Sequence, residues 1–148
     1  MITLRDITEE NFRECIQLSV KEEQKGFVAP NVRSLAQAWL HYDYAHPYAI
    51  YNDETMIGFV MLGYGADDSE CFLWRYMIDQ RYQNQGLGKR AMDAVMEHIK
   101  AREQFTGIAL SYEPENHVAD KLYRSFGFMP TGKMIDGEIA MSLDIASN

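Results

Sequence analysis

A polar segment with two glycines carries the clearest chemical signal in the sequence. This segment, DQRYQNQGLGKR (79–90), lies between an apolar stretch that ends at Ile78 and an amphipathic helical pattern. Because Gly86 and Gly88 have no Cβ atoms, successive backbone N–H groups at a helix N-terminus can close on phosphate oxygens there. The helix dipole favours the negative charge of such a group. The segment therefore predicts a site for a diphosphate or a phosphorylated cofactor, and a glycine-containing turn without any ligand is the alternative interpretation.

Two common phosphate-binding motifs do not fit this segment. A Walker A loop requires glycine where Gln83 stands, and serine or threonine where Arg90 stands. Gly86, Gly88 and Ala91 do match the G-x-G-x-x-G/A pattern of dinucleotide-binding folds. In those folds the glycines directly follow a hydrophobic strand, whereas polar or aromatic residues intervene here, and too little chain remains for the further βαβ units. Both motifs are therefore disfavoured.

Hydropathy patterning predicts the elements that position the glycine segment. The apolar spacings indicate the order β α α β β β α β α β β, with a strand before the segment and a helix after it. The predicted strands cover 2–6, 48–51, 56–62, 71–78 and 108–112; the predicted helices follow Thr8, cover 32–44, begin at Leu87 and cover 116–126; and a closing hairpin turns at Asp136-Gly137. This order predicts an α+β fold, with helices dispersed among the strands of one largely antiparallel sheet.

Composition limits the classes of protein and partner. The chain has 148 residues, of which 47% are hydrophobic, and this suits a single domain over 1–148. Lys and Arg number 14 against 22 Asp and Glu, and the net charge of −8 disfavours nucleic acid and anionic membranes as partners. Cationic partners fit this charge better, and solubility alone is the alternative explanation. No stretch resembles a membrane span or a signal peptide, so we expect a cytoplasmic protein.

Cysteine and histidine spacing indicates neither a metal site nor a redox motif. Cys15 and Cys71 are far apart and lack the close spacing of a zinc or thiol-exchange pair. We expect them to be reduced, half-buried apolar residues, with a disulfide as the alternative. The four histidines form no HExxH-like cluster, so we expect no metal.

Two motifs in the chain together resemble those of the GNAT family of N-acetyltransferases, which use acetyl-CoA. Gln83-x-x-Gly86-x-Gly88 resembles the Q/R-x-x-G-x-G/A signature of that family, and PENHVADKLYRSFGF (114–128) resembles its second half-site. The likeness covers essentially the whole chain. Within the family it is strongest to the small bacterial spermine/spermidine acetyltransferases, through EEQKGFVAPNVRSLAQAW, GFVMLGY, WRYMID and RYQNQGLGKRAM.

The resemblance implies a fold, a cosubstrate and its binding residues. It implies a six- to seven-stranded mixed sheet with helices on both faces, and acetyl-CoA as cosubstrate without a metal. Backbone N–H groups of 84–89 would hold the pyrophosphate, the edge of strand 77–79 would pair with the pantetheine arm, and an N–H near Ile78 would stabilise the oxyanion. The implied cofactor-binding residues are Met77, Ile78, Asp79, Gln83, Asn84, Gln85, Gly86, Leu87, Gly88, Lys89, Arg90, Asn116, Ala119, Tyr123 and Arg124.

The resemblance also implies how protons move during the reaction. Tyr123 matches the family tyrosine that protonates the departing thiolate, and simple packing of its ring is the alternative interpretation. An ammonium has no lone pair, so the acceptor amine needs a carboxylate base, acting directly or through water. Glu22, Glu23 and Glu113 are the candidates.

The acceptor implied by the resemblance is a small primary amine, with a polyamine such as spermine or spermidine favoured. A polycation needs an acidic path, to which Glu22, Glu23, Asp67, Asp68 and Glu70 could contribute, and Trp39, Tyr42, Tyr44 and Trp74 could line it or belong to the core. Arg75 departs from this pattern, because a cation repels a polyamine. The alternatives are an acetyltransferase for a protein or peptide amino group and a non-catalytic acyl-CoA-binding sensor. A homodimer is common in the family.

Overall fold

The computed structural model describes residues 1–146, which form seven β-strands, four α-helices and two short 3-10 helices at Glu22–Gln24 and Gln80–Tyr82. The strands are β1 (Ile2–Asp6), β2 (Ala45–Asn52), β3 (Thr55–Gly63), β4 (Glu70–Ile78), β5 (Gly107–Tyr112), β6 (Met129–Ile135) and β7 (Glu138–Asp144). The helices are α1 (Phe12–Gln17), α2 (Asn31–Leu40), α3 (Leu87–Ala101) and α4 (His117–Ser125). The predicted order of elements is confirmed.

All seven strands belong to one sheet, in the order β1-β2-β3-β4-β5-β7-β6. Every neighbouring pair is antiparallel except β4 and β5, which are parallel because α3 connects them across one face of the sheet. The predicted antiparallel meander is therefore β2-β3-β4, and the mixed seven-stranded sheet confirms the expected fold class.

The parallel strands β4 and β5 separate after a short stretch of pairing. They pair at three positions, from Glu70 with Gly107 to Phe72 with Ala109, although both strands continue beyond that point. On the other side of β4, Leu73 pairs with Leu62 and Arg75 with Met61, so Trp74 is an extra residue in β4. Such a β-bulge bends its strand and increases the local twist. The bulge therefore lies where β4 turns away from β5, and the two diverging ends leave an opening in the sheet.

Two hydrophobic clusters cover the two faces of the sheet. One contains the buried face of α3 together with Ile108, Tyr123 and Phe128, and the other contains residues of α1 and β3 with partly buried residues of α2. The helices therefore lie on both faces, as expected. Cys71 belongs to the first cluster and Cys15 to the second; both thiols are free and fully buried rather than half-buried, and burial raises the pKa of each to about 12.

The two N-terminal helices are shorter than predicted. The first begins at Phe12, with Asn11 rather than Thr8 in the N-cap position, and it ends because Leu18 adopts an extended conformation. The second stops at Leu40, and its predicted end falls in the turn before Ala45, which pairs with Gly63 at the start of β2. Pairing with the sheet thus overrides the local helical pattern.

The closing hairpin forms at the predicted dipeptide. Asp136 has φ 49° and Gly137 has φ 82°, as a two-residue turn between antiparallel strands requires. Among residues 1–146, no helix is both long and apolar enough to cross a membrane. The same part of the chain contains no group of three metal-ligating side chains placed to hold an ion.

Candidate active site

A cleft of about 520 Å³ occupies the opening between β4 and β5. The diverging end of β4 forms its centre, the start of α3 and one face of α4 form one side, and residues 24–30 before α2 form the other. The cleft is lined by nine of the residues predicted to act in binding or catalysis: Met77, Ile78, Gln83, Asn84, Gly88, Glu113, Asn116, Ala119 and Tyr123. The structure therefore brings both sequence motifs to one place.

The loop before α3 presents backbone N–H groups without internal partners. Asn84 has φ 61° and Gly86 has φ 78°, so the chain turns sharply into the helix. In the part of the chain that the structure describes, the first N–H of this turn with a backbone acceptor is that of Arg90, which donates to the carbonyl oxygen of Gly86 at 3.2 Å. A Cβ at Gly88 would meet just Ile78 Cγ1, at 3.9 Å, so packing does not require glycine there. Free donors at an uncovered helix N-terminus fit a diphosphate.

Two residues of the predicted cofactor set have structural contacts instead. Leu87, the first residue of α3, is buried in the hydrophobic cluster between this helix and the sheet. The buried Asp79 carboxylate accepts hydrogen bonds from the N–H of Ser19 (2.9 Å) and from the N–H and Nε of Arg81 (2.9 and 2.8 Å). Burial opposes ionisation, but these hydrogen bonds outweigh it and hold the pKa of Asp79 below its ordinary value. Asp79 therefore fixes the turn after β4 and does not line the cleft.

Gln83, the first residue of the glycine motif, ties the two sides of the cleft together. Its Nε2 donates to the carbonyl oxygen of Ile78 at 2.9 Å, and its amide exchanges hydrogen bonds with that of Gln24 at 3.0 and 3.2 Å. Gln24 belongs to the 3-10 helix before α2. These contacts hold the loop against β4 and against the opposite wall.

Tyr123 lies on the buried face of α4. The side chain of Asn116 caps this helix by accepting a hydrogen bond from the N–H of Ala119 at 3.2 Å. The Tyr123 ring packs against those of Tyr112 and Phe128, with centroids 6.1 and 5.9 Å away, and 8% of the residue remains exposed. Burial alone raises the pKa of Tyr123 above its ordinary value. The phenol is therefore protonated at neutral pH and lines the cleft.

The three candidate bases are placed differently. Glu113 follows the end of β5 and lines the cleft. Glu22 and Glu23 are exposed on the 3-10 helix and do not line it, and Glu22 forms an ion pair with Lys25 at 3.1 Å. The remaining predicted cofactor residues are exposed outside the lining: Gln85, Gly86, Lys89, Arg90 and Arg124, the last paired with Asp120 at 3.0 Å.

The predicted acceptor path is brought together in part. Trp74 lines the cleft, and Tyr44 packs on it with ring centroids 6.0 Å apart. Trp39 and Tyr42 are each 76% exposed and contact each other instead. The acidic residues Asp67 and Asp68, just before β4, and Glu70, its first residue, are exposed at the end of the strand opposite the cleft.

Sequence reasoning missed several charged or polar residues of the cleft, among them Arg33, Ser111 and Glu138. Arg75, which the sequence analysis named as a cation in conflict with a polyamine path, also lines the cleft. The hydroxyl of Ser111 donates to Glu138 Oε1 at 2.8 Å. Arg75 donates to Gln37 Oε1 at 2.7 Å and to the carbonyl oxygen of Trp74 at 3.2 Å, while its Nε is buried without a partner among residues 1–146. Local sequence spacing carries no signal for Ser111 and Glu138, because they meet through the pairing of β5 with β7.

Comparison with known proteins agrees with this geometry. A model of the Acetyltransferase (GNAT) family matches residues 3–128. The chain belongs to the GNAT acetyltransferase family. This GNAT acetyltransferase is 30% identical over 147 residues to the spermine/spermidine N(1)-acetyltransferase of Bacillus subtilis (strain 168), covering 95% of this chain and 96% of that protein.

Solved structures share the GNAT fold. An aminoglycoside acetyltransferase in complex with coenzyme A superimposes with a TM-score of 0.80 at 16% identity, covering 98% of this chain and 95% of that one. The Salmonella typhimurium acetyltransferase that modifies the N-terminal serine of ribosomal protein L7/L12 superimposes with a TM-score of 0.77 at 20% identity, covering 97% and 95%. The predicted family and its N-acetyltransferase activity are thus confirmed.

Proposed function

We propose that this GNAT acetyltransferase moves an acetyl group from acetyl-CoA to a primary amine of a polyamine such as spermine or spermidine. One observation carries the proposal: a single cleft joins unpartnered N–H groups at the start of α3 to a protonated tyrosine, Tyr123, and to a carboxylate, Glu113. An anion-binding end, an acid and a base are the groups that an acyl transfer from a phosphorylated thioester needs.

The proposed cosubstrate site follows the wall of the cleft from α3 to α4. The N–H groups of 84–89 would hold the pyrophosphate, because they have no acceptor of their own among the described residues. The end of β4 at Met77 and Ile78 has no pairing to β5 and would bind the amides of the pantetheine arm. Asn116 and Ala119 line the same side. When bound, acetyl-CoA supplies an acyl group activated as a thioester.

Two side chains of the cleft would carry out the proton steps, Glu113 as the base and Tyr123 as the acid. Glu113 would take the proton of the acceptor ammonium, directly or through water, so that the amine can attack the thioester carbon directly. An N–H near Ile78 would stabilise the oxyanion. Tyr123 holds its proton at Oη because burial disfavours the phenolate, and it would give that proton to the sulfur as the C–S bond breaks. The second proton lost by the attacking nitrogen as the amide forms would restore the phenol.

The polyamine assignment is supported by the chain's relatives and by the cleft. The 30% identity to a spermine/spermidine acetyltransferase extends over 95% of this chain and 96% of that protein. Glu113 and Trp74 supply a carboxylate and an aromatic face for ammonium groups. Arg33 and Arg75 favour a second candidate, an amino group on a peptide or protein, since guanidinium groups bind carboxylates. A cytoplasmic homodimer is part of the proposal, and light scattering after gel filtration would test the dimer.

A thiol-release assay tests the function. Purified protein is mixed with acetyl-CoA and spermidine, spermine, butylamine, an aminoglycoside or a peptide with a free N-terminus, and free coenzyme A is followed with time. We expect the highest kcat/KM for the two polyamines. Higher kcat/KM for the peptide would favour the second candidate. Binding of coenzyme A by calorimetry without thiol release for any amine would indicate a sensor and overturn the enzyme mechanism.

A further inference from the structure

Glu138 is a carboxylate of the cleft that the proposed chemistry does not use. It is the first residue of β7, it is partly buried, and it lines the cleft. The hydroxyl of Ser111, on the neighbouring strand β5, donates to its Oε1 at 2.8 Å. A carboxylate has about four lone-pair sites, so this single hydrogen bond orients Glu138 and leaves it free to accept more.

The sheet register places Glu138 beside the candidate base. Tyr112 and Ile139 form the last pair of β5 and β7, so Glu113 directly follows one member of this pair and Glu138 directly precedes the other. Both line the cleft. Paired positions of antiparallel strands lie about 5 Å apart at Cβ, so two residues that adjoin the same pair are close enough for one short diamine segment to reach both.

Two guanidinium groups also line the cleft. Arg75 on β4 and Arg33 on α2 line the cleft, and neither forms an ion pair within residues 1–146. Burial lowers the pKa of the Arg75 guanidinium, the charge of Glu138 opposes that shift, and the charge of Arg33 adds to it. Glu138 and Arg75 therefore interact electrostatically, although they form no ion pair among the described residues.

We propose that Glu138 selects the acceptor: its carboxylate binds the second ammonium group of a diamine or polyamine while the neighbouring primary amine is delivered to Glu113. Ser111 is a positioning residue that orients this carboxylate. Arg75 repels cationic groups from the β4 wall, so the chain of the acceptor lies along β5 and β7. This inference rests on the proposed function, because it assumes that the acceptor is an amine with at least two cationic groups.

Steady-state kinetics of Glu138→Gln against two acceptors test the inference. Spermidine and butylamine both present a primary amine, but butylamine lacks further ammonium groups. We expect Glu138→Gln to raise KM for spermidine by about tenfold or more, the effect of losing a hydrogen bond between charged groups, with kcat and the KM for butylamine unchanged. Ser111→Ala should raise KM for spermidine less, again without a change in kcat. Arg75→Gln should lower KM for spermidine, which carries several cationic groups, more than KM for butylamine, which carries one.

The matched control removes the same charge outside the cleft. Glu115 is exposed in the loop after β5 and does not line the cleft, so Glu115→Gln should behave as the unmodified protein. The melting temperature and the Kd for coenzyme A check that each variant is folded and binds its cosubstrate. Equal changes in KM for both acceptors in Glu138→Gln, or an equal effect of Glu115→Gln, would overturn the role of Glu138 while leaving the acetyltransferase function intact. Absence of spermidine acetylation by the unmodified protein, with turnover of butylamine retained, would instead overturn the polyamine assignment and this inference with it.

Discussion

Replacing Tyr123 by phenylalanine removes one hydroxyl group and leaves the packing of its ring unchanged. The ring contacts with Tyr112 and Phe128, at centroid distances of 6.1 and 5.9 Å, do not involve the hydroxyl. Burial is the whole cause of the raised pKa of Tyr123, so no hydrogen bond to a neighbouring residue contributes to it. We therefore expect the free energy of unfolding of Tyr123→Phe to change by less than about 1 kcal/mol.

The effect on catalysis should be much larger than the effect on folding. Loss of a general acid costs roughly 10²- to 10⁴-fold in kcat, which corresponds to about 2.7 to 5.4 kcal/mol in the activation barrier. Because the pKa of Tyr123 is raised above an ordinary value near 10, the phenol stays protonated through neutral and mildly alkaline pH. In the unmodified protein, kcat should not fall from deprotonation of Tyr123 until the pH exceeds about 10.

Thiol release at saturating acetyl-CoA measures kcat, and calorimetry with coenzyme A measures binding. Tyr48→Phe is the matched control, because Tyr48 is a partly buried tyrosine that packs on the ring of His98 and lies outside the cleft. We expect Tyr48→Phe to retain kcat and Tyr123→Phe to retain the Kd for coenzyme A. An unaltered kcat in folded Tyr123→Phe would show that water or another group protonates the thiolate, and the assigned role would be wrong.

Three further predictions concern the cofactor loop, the turn after β4 and the buried thiols. Gly88→Ala should keep or raise the melting temperature, because the added Cβ would meet just Ile78 Cγ1, at 3.9 Å. The same substitution should raise the Kd for coenzyme A, measured by calorimetry, at least tenfold, and an unchanged Kd would contradict the phosphate site. Asp79→Asn should lower the free energy of unfolding by about 1 to 3 kcal/mol in urea. Since the pKa of Asp79 is lowered on folding, its contribution is present above pH 3.8 and disappears as pH falls through the folded value, so the loss on substitution should shrink in acid. Cys15 and Cys71 should react with a thiol reagent after unfolding and not before, and rapid labelling of the native protein would contradict their burial.

Features that depend on nearby residues could be predicted from the sequence. The hairpin at Asp136 and Gly137 depends on two residues that accept positive φ angles, and α3 depends on apolar residues repeating with helical spacing. The cap of α4 by Asn116 depends on a hydrogen bond to Ala119, three residues away. Each of these signals lies within a few positions of the structure that it determines, so the order of elements was recovered.

Features that depend on sheet register could not be predicted in this way. Ser111 and Glu138 are 27 positions apart and meet because β5 pairs with β7. Gln24 and Gln83 are 59 positions apart and meet across the cleft. The acidic residues after β3 suggested an acceptor path by composition, whereas β4 carries Glu70 to the end of the sheet opposite the cleft. Net charge carries no information about which residues share a surface, so the acceptor end was predicted less well than the cofactor end.

Because Trp74 is an extra residue in β4, the number of residues in this strand decides which of its side chains point toward α3. Before the bulge, Cys71 and Leu73 belong to the cluster under α3, and after it Tyr76 and Ile78 pack on that same cluster. Odd-numbered residues thus face α3 in the half of β4 before Trp74, and even-numbered residues face it in the half after Trp74. Deletion of one residue would exchange the faces of the second half, whereas substitution at Trp74 would not. We therefore expect this strand to tolerate changes of residue type during evolution far better than changes of length.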